Sequence, residues 1–226
     1  MFKVLELADL DNPNSLSNRM RSRRFRIFES LVKSVPRPMR ILDVGGTNAF
    51  WEQRGWADRD DVQITLLNLA PQEKRHANIT PLTGTATDLS QFCSGSFEIV
   101  FSNSVIEHLF TFENQRQMAA EIRRVAKAFW VQTPNFWFAM EPHFHVPGWH
   151  WMPLSVRVAM LRKWKCGWLG PCPDSAQARE RVTEVRLMTS SELREIFPGA
   201  KLIPERFGVF VKSWIAIDGF LAATEQ

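Results

Sequence analysis

A carboxylate, two adjacent glycines and a hydroxyl stand together in "RILDVGGTNAFWE", residues 40–52. The apolar run from Ile41 to Val44 carries Asp43, and Gly45 and Gly46 follow at once. Such a run reads as a buried strand. Glycines at its end bring bare backbone close to a ligand where the next helix begins. A dinucleotide site wants G-x-G-x-x-G, but no glycine follows Gly46 until Gly55. A nucleoside-triphosphate loop wants Lys-Ser/Thr after its glycines, and that pair is missing. The aspartate favours a third ligand class. A carboxylate at a strand end suits a cation such as an amino acid's ammonium, and a small ligand without phosphate fits against the glycines.

Histidines supply the other reactive groups. His108 follows the apolar run "FEIVFSNSVIEHL", and "EPHFHVPGWH" holds His143, His145 and His150. A loop histidine with a pKa near neutrality suits a general base, and His108 and His143 are the candidates. Alternating histidines can also ligate a metal. Glu141 is the one carboxylate at partner spacing, so no metal site is expected.

The elements that would position these groups alternate along the chain. "SLSNRMRSRRFRIFESLVKSV" reads as an N-terminal helix with Phe25, Ile27, Phe28, Leu31 and Val32 on its apolar side and arginines on the wet one. Strands follow at "RILDVG", "VQITLLNLA", "HANITPLTGTATDL" and "FEIVFSNSVIEHL". "FENQRQMAAEIRRVAKA" is a strong amphipathic helix, and "FWVQTPN" a strand closed by Pro134. "TSSELREIFPG" carries capping-box spacing at Thr189 and Glu192, and "AKLIPERF" and "GVFVKSWIAI" are two closing strands. The pattern predicts an α/β fold: a Rossmann-like sheet, mostly parallel with an antiparallel last strand, and helices on both faces. Residues 136–187 break the rhythm with Trp, His and Pro and read as an inserted lid. The expected organisation is one domain over residues 1–226, with 1–37 as a helical cap.

The glycine segment resembles the first motif of class I S-adenosylmethionine-dependent methyltransferases, usually D-x-G-x-G-x-G, and the similarity runs in order over residues 38–135. It implies S-adenosyl-L-methionine as cofactor. Asp43, Gly45 and Gly46 would contact its methionine part. Asn68 falls where the family has an acid holding the ribose hydroxyls. Asp88, with Leu89 beside it, looks like the acceptor for the adenine amino group. Asn103 and Ser104 would line the cofactor after the fourth strand, with Glu107 and His108 next in the loop. Two departures stand out: Thr47 and Ala49 replace common glycines, and the neutral Asn68 replaces the acid. "E-P-H" after the fifth strand also resembles bacterial methyltransferases associated with small molecules and surface glycans.

Composition bounds the rest. The chain has 226 residues, a net charge of +4 and no tyrosine, so no tyrosine acid or base takes part and a short-chain dehydrogenase is excluded. Cys93, Cys166 and Cys172 form no CxxC pair, which argues against disulfides and structural zinc and for a reduced, cytoplasmic enzyme. No apolar run is long enough to span a membrane, and "MFKVLELADLDNPNS" is no secretory signal. The expected activity is methyl transfer to a small-molecule hydroxyl on a sugar, lipid or secondary metabolite, under a water-excluding Trp-rich lid. The basic run "RMRSRRFR" keeps RNA methylation as an alternative, although no appended RNA-binding domain stands out and nucleic acid is not the expected partner. A non-catalytic binding module is the other alternative.

Overall fold

The computed structural model describes residues 16–141 and 143–220. The stretch "MFKVLELADLDNPNS", read above as no secretory signal, lies outside them. Two compact units divide the chain, residues 1–36 with 220–226 and residues 37–219. The first contains helix α1 (Leu16–Val32), in which the rings of Phe25 and Phe28 lie 5.6 Å apart on the apolar side.

In the second unit, five apolar segments become parallel strands: β1 (Met39–Val44), β2 (Val62–Asn68), β3 (Ile79–Thr83), β4 (Phe97–Asn103) and β5 (Ala126–Pro134). β6 (Lys201–Phe207) and β7 (Phe210–Asp218) form a hairpin, and β7 joins β5 antiparallel. The seven strands lie in the order β3-β2-β1-β4-β5-β7-β6, a mostly parallel sheet with an antiparallel end as expected. The order reverses between β1 and β4, so their carboxyl ends open the crevice where ligands of such sheets bind.

Both faces of the sheet are covered, which is why its central strands are apolar on successive residues rather than alternate ones. On one face, Val100 and Val131 pack with Met118, Ala119, Ile122 and Val125 of helix α3 (Phe112–Val125). Those α3 residues recur at helical spacing and form a single stripe. Thr111 caps α3 by accepting from the Asn114 N–H at 3.1 Å, and Arg123 and Arg124 sit at its carboxyl end, where cations are favoured. On the other face, Phe101 meets Trp51 of the short helix α2 (Asn48–Glu52) at 5.4 Å and stacks on Trp130 at 6.2 Å.

Residues 136–187 form a layer of their own, with helices α4 (Leu154–Lys163) and α5 (Ser175–Thr183). Phe144, Trp149, Leu161, Cys166, Ala178 and Val182 are buried together in it, and Phe144 stacks on Trp149 at 4.2 Å. Helix α6 (Ser190–Ile196) then begins with the expected capping box of Thr189 and Glu192. All three cysteines are free.

The β1–α2 turn is the tightest part of this frame. Gly45 has φ 78°, and a Cβ there would stand 2.3 Å from a Val105 methyl. A Cβ on Gly46 would stand 1.7 Å from Asp43 Oδ2. Gly46→Ala therefore forces the turn apart. It is expected to cost about 3 kcal/mol in urea unfolding, the upper range for overpacking a filled site. An unchanged unfolding midpoint would contradict the packing.

Candidate active site

Asp43 ends β1 almost wholly buried, because Trp51 closes over it. The Trp51 Nε1–H donates to Oδ2 at 2.7 Å, and Trp51 is itself wedged against Phe50, Trp56 and Phe101. Burial pushes the Asp43 pKa up to about 7, with the Trp51 hydrogen bond opposing. The carboxyl group forms the floor beneath Gly46.

Two amides hold the turn from above. Asn68 Nδ2 donates to the Gly46 carbonyl at 2.9 Å and Gln72 Nε2 to the same oxygen at 3.0 Å. This gives a physical reason for the neutral residue at position 68. A carboxylate has no proton to donate and would face the carbonyl oxygen with its own charge. With its amide engaged, Asn68 keeps its Oδ1 for accepting. Thr47 departs from glycine for a similar reason: its hydroxyl caps α2 by accepting from the Phe50 N–H at 3.3 Å. Asn48 is buried next to it and donates to the Glu73 carbonyl at 3.0 Å, while its Oδ1 has no partner among the described residues.

The exit of β4 completes this corner. Ser104 adopts φ 55°, held by its N–H on the Gln132 carbonyl (2.9 Å) and its hydroxyl on Gln132 Oε1 (3.0 Å). Asn103 Oδ1 accepts from Trp130 Nε1 at 3.3 Å. Val105 then lands on Gly45. Asp43, Gly45, Gly46, Asn68, Asn103 and Ser104 thus gather at the carboxyl ends of β1, β2 and β4.

Asp88 and Leu89 do not join them. The Asp88 carboxylate is exposed and accepts from the Ser90 N–H at 3.0 Å, which pulls its pKa down. It lines a shallow cavity with Glu121 and Arg124 of α3. Leu89 is core, and its N–H donates to Glu121 Oε2 at 2.8 Å. The sequence "DLS" makes a side-chain turn onto Ser90, and that local bond orients Asp88 toward α3.

The histidines converge beside the β4 exit. A 3₁₀ turn, Ile106–His108, follows Val105. The His108 and His143 rings meet edge to face, with centroids 4.8 Å apart. Glu141, 1% exposed, clasps His143: Oε1 lies 2.5 Å from Nδ1, and Oε2 accepts the N–H groups of His143 (2.8 Å) and Phe144 (2.7 Å). Burial pulls the His143 pKa down, but the Glu141 bond and the charges of Glu141, Glu107 and Glu184 outweigh it and leave the pKa raised. His108 goes the other way, lowered by burial and then by the His143 charge. The pair is therefore one neutral imidazole against one that holds a proton more readily.

Glu107 lies beneath the pair, fully buried. Thr133 Oγ1 donates to its Oε2 at 3.1 Å, and its Oε1 has no partner among the described residues. Burial raises its pKa to about 7, against the pull of its own backbone N–H, His143 and Thr133. Sequence reading passed over Gln132 and Thr133 and considered Glu141 only as a metal ligand. The two-residue spacing from Glu141 to His143 is the signal that could have paired them. His145 packs instead on Trp168 (5.1 Å) and His150 on Phe136 (5.2 Å). Among the described residues no three His, Cys, Asp or Glu side chains are arranged to hold a metal.

Residues 42–128, from β1 into β5, match the methyltransferase domain family. The N-methyltransferase NodS of Bradyrhizobium japonicum is similar in structure, with a TM-score of 0.52 at 10% identity over 88% of this chain and 96% of that one. A Nostoc punctiforme protein assigned as an O-methyltransferase superposes with a TM-score of 0.50 at 12% identity, over 90% and 58% of the two chains. A Rhodobacter sphaeroides protein described as a zinc-dependent alcohol dehydrogenase gives a TM-score of 0.52 at 9% identity, over 85% and 87% of the two chains. At such identities the likeness concerns the fold alone. The chain spans 46%, 61% and 57% of the length of three further solved structures it matches. No curated protein sequence matches it.

Glu107 gives a direct test of this electrostatic picture. Its raised pKa means that the folded state keeps a proton that the unfolded chain releases from about pH 4 upward. The stability it contributes is full below that pH and is lost as pH rises to about 7. Glu107→Gln is expected to flatten this fall and to exceed the parent at pH 8 by up to about 3 kcal/mol in urea unfolding. A slope between pH 4 and 7 equal to the parent's would contradict the assignment.

Proposed function

We infer that this chain, which carries a class I S-adenosylmethionine-dependent methyltransferase domain with S-adenosylmethionine as its cofactor, methylates a hydroxyl group of a small acceptor, a sugar, lipid or secondary metabolite. The observation that carries the hydroxyl reading is the His108–His143 contact beside the β4 exit, with Glu141 on His143 Nδ1. An amine acceptor needs little help to lose its proton. A hydroxyl needs a base, and a histidine oriented by a buried carboxylate is the usual protein solution.

The cofactor's chemistry suits the β1 corner. The Gly45–Gly46 turn brings bare backbone to the crevice, and Asn48 Oδ1 is a buried acceptor without a donor among the described residues. A ligand with an ammonium and ribose hydroxyls offers such donors. Asp43, Gly45, Gly46, Asn68, Asn103 and Ser104 would hold it. Asp88 and Leu89, tied to Ser90 and Glu121, are left out of this set. When bound, the cofactor supplies an electrophilic methyl group on a sulfonium.

The rest is work for the chain's own residues. Glu141 fixes the His143 ring and its tautomer, leaving Nε2 as the atom that takes the acceptor's proton. His108, held neutral, can donate or accept one hydrogen bond to the acceptor and steer it toward Nε2. The Trp-rich lid excludes water and aligns the reacting atoms.

Methyl transfer to sugar, lipid and aromatic-alcohol pools, followed with isotopically labelled cofactor, tests this reading. His143→Ala is expected to lower kcat by about 10²–10⁴-fold, the usual contribution of a positioned base. Glu141→Gln removes the charge that raises the His143 pKa, so the acidic limb of the kcat/KM profile should move to lower pH. Full turnover in both His108→Ala and His143→Ala would eliminate the base assignment.

A further inference from the structure

We propose that residues 149–172 form a docking surface for an anionic lipid bilayer. The lid fills its own core with Phe144, Trp149 and Leu161, and further tryptophans remain at its surface. Trp151, Trp164 and Trp168 are 47%, 59% and 57% exposed, and Val156 is 42% exposed. Helix α4 turns Leu161 inward and leaves Ser155, Val156, Ala159, Arg162 and Lys163 exposed. Those five recur at helical spacing, so they form one outward stripe that mixes apolar and basic side chains. Trp151 precedes that stripe, and Trp164, Lys165 and Trp168 follow it.

Charge names the partner. From residue 142 to residue 173 the chain has no Asp or Glu, while Arg157, Arg162, Lys163 and Lys165 are all cationic. None of these four is in an ion pair among the described residues; Arg162 donates from Nε to the Pro173 carbonyl at 2.9 Å. Basic side chains in a segment without acids complement anionic headgroups, and the exposed acids nearby, Asp174 and Glu180, belong to α5 and its cap. Exposed tryptophans at both ends of a short basic helix suit the interfacial layer, where the indole body is apolar and its N–H stays wet. Exposed aliphatic groups such as Val156 favour lipid over nucleic acid, because they gain from burial in acyl chains and have no ring to stack on a base. Docking requires no turnover, so this proposal stands apart from the acceptor chemistry.

The test is co-sedimentation of the full chain with vesicles of phosphatidylcholine alone, or mixed with phosphatidylglycerol, at low salt. Partition onto the mixed vesicles and not onto phosphatidylcholine is expected. Lys163→Gln with Lys165→Gln should weaken partition roughly 25-fold, since each basic group near an anionic surface is worth about fivefold. Trp164→Ser with Trp168→Ser, melting at the parent's temperature, should also lose it, which charge attraction alone would not produce. No partition, or equal partition onto both vesicles, would overturn the proposal. So would binding of polyuridylate that the lysine variant loses, without vesicle partition, which would assign the surface to nucleic acid.

Discussion

The close approach of Gly46 to the Asp43 carboxyl group governs the carboxyl end of the sheet. A buried carboxyl group is costly unless its oxygens are used or its charge is given up. Here the Trp51 N–H takes one oxygen, and burial raises the pKa to about 7. Trp51 reaches that oxygen only because α2 starts within two residues of Gly46, and α2 starts there because Thr47 caps it. The turn then presents the Gly46 carbonyl upward, where Asn68 and Gln72 fix it from the β2 side. Val105 fills the space beside Gly45 from the β4 side. Two missing side chains, at Gly45 and Gly46, thus tie three strands into a common corner.

The histidine pair is coupled to that corner through the chain between β4 and α3. Ser104 turns sharply on Gln132, Val105 seats on Gly45, and His108 follows at the end of one 3₁₀ turn. The position of His108 is therefore set by the same packing that shapes the glycine turn. His143 arrives from a different direction, after β5, and Glu141 stops it in place by taking the N–H groups of His143 and Phe144. With His143 drawn toward its charged form and His108 toward its neutral one, the two rings differ chemically despite being the same residue.

The mostly parallel sheet was legible because buried strands are written as apolar runs and α3 as a clean helical stripe. The capping box at Thr189 and Glu192 was equally plain, since its signal is local. Asp43, Gly45 and Gly46 could be read from residue type and order alone. The sequence was less informative where function depends on partners far apart in the chain. Asn68 looked like a weakened ribose ligand until its amide met the Gly46 carbonyl, 22 residues away in sequence. Asp88 matched a motif position, and its bond to the backbone N–H of Ser90 could not be read from that match. The burial of Glu107 and Glu141 could not be read at all, because burial of a charged side chain leaves no mark on the sequence around it.

On the proposed reading, the Asp43–Gly46 corner binds S-adenosylmethionine. Calorimetric titration of the parent and of Asp43→Asn with S-adenosylmethionine and S-adenosylhomocysteine tests it most directly. The asparagine keeps the volume and still accepts the Trp51 hydrogen bond, so folding is preserved while the carboxyl group is removed. Micromolar binding of both ligands by the parent, weakened at least about tenfold in the variant as expected for a lost charge-assisted contact, is the predicted result. Equal binding by the two proteins, or no binding by a folded parent, would contradict it.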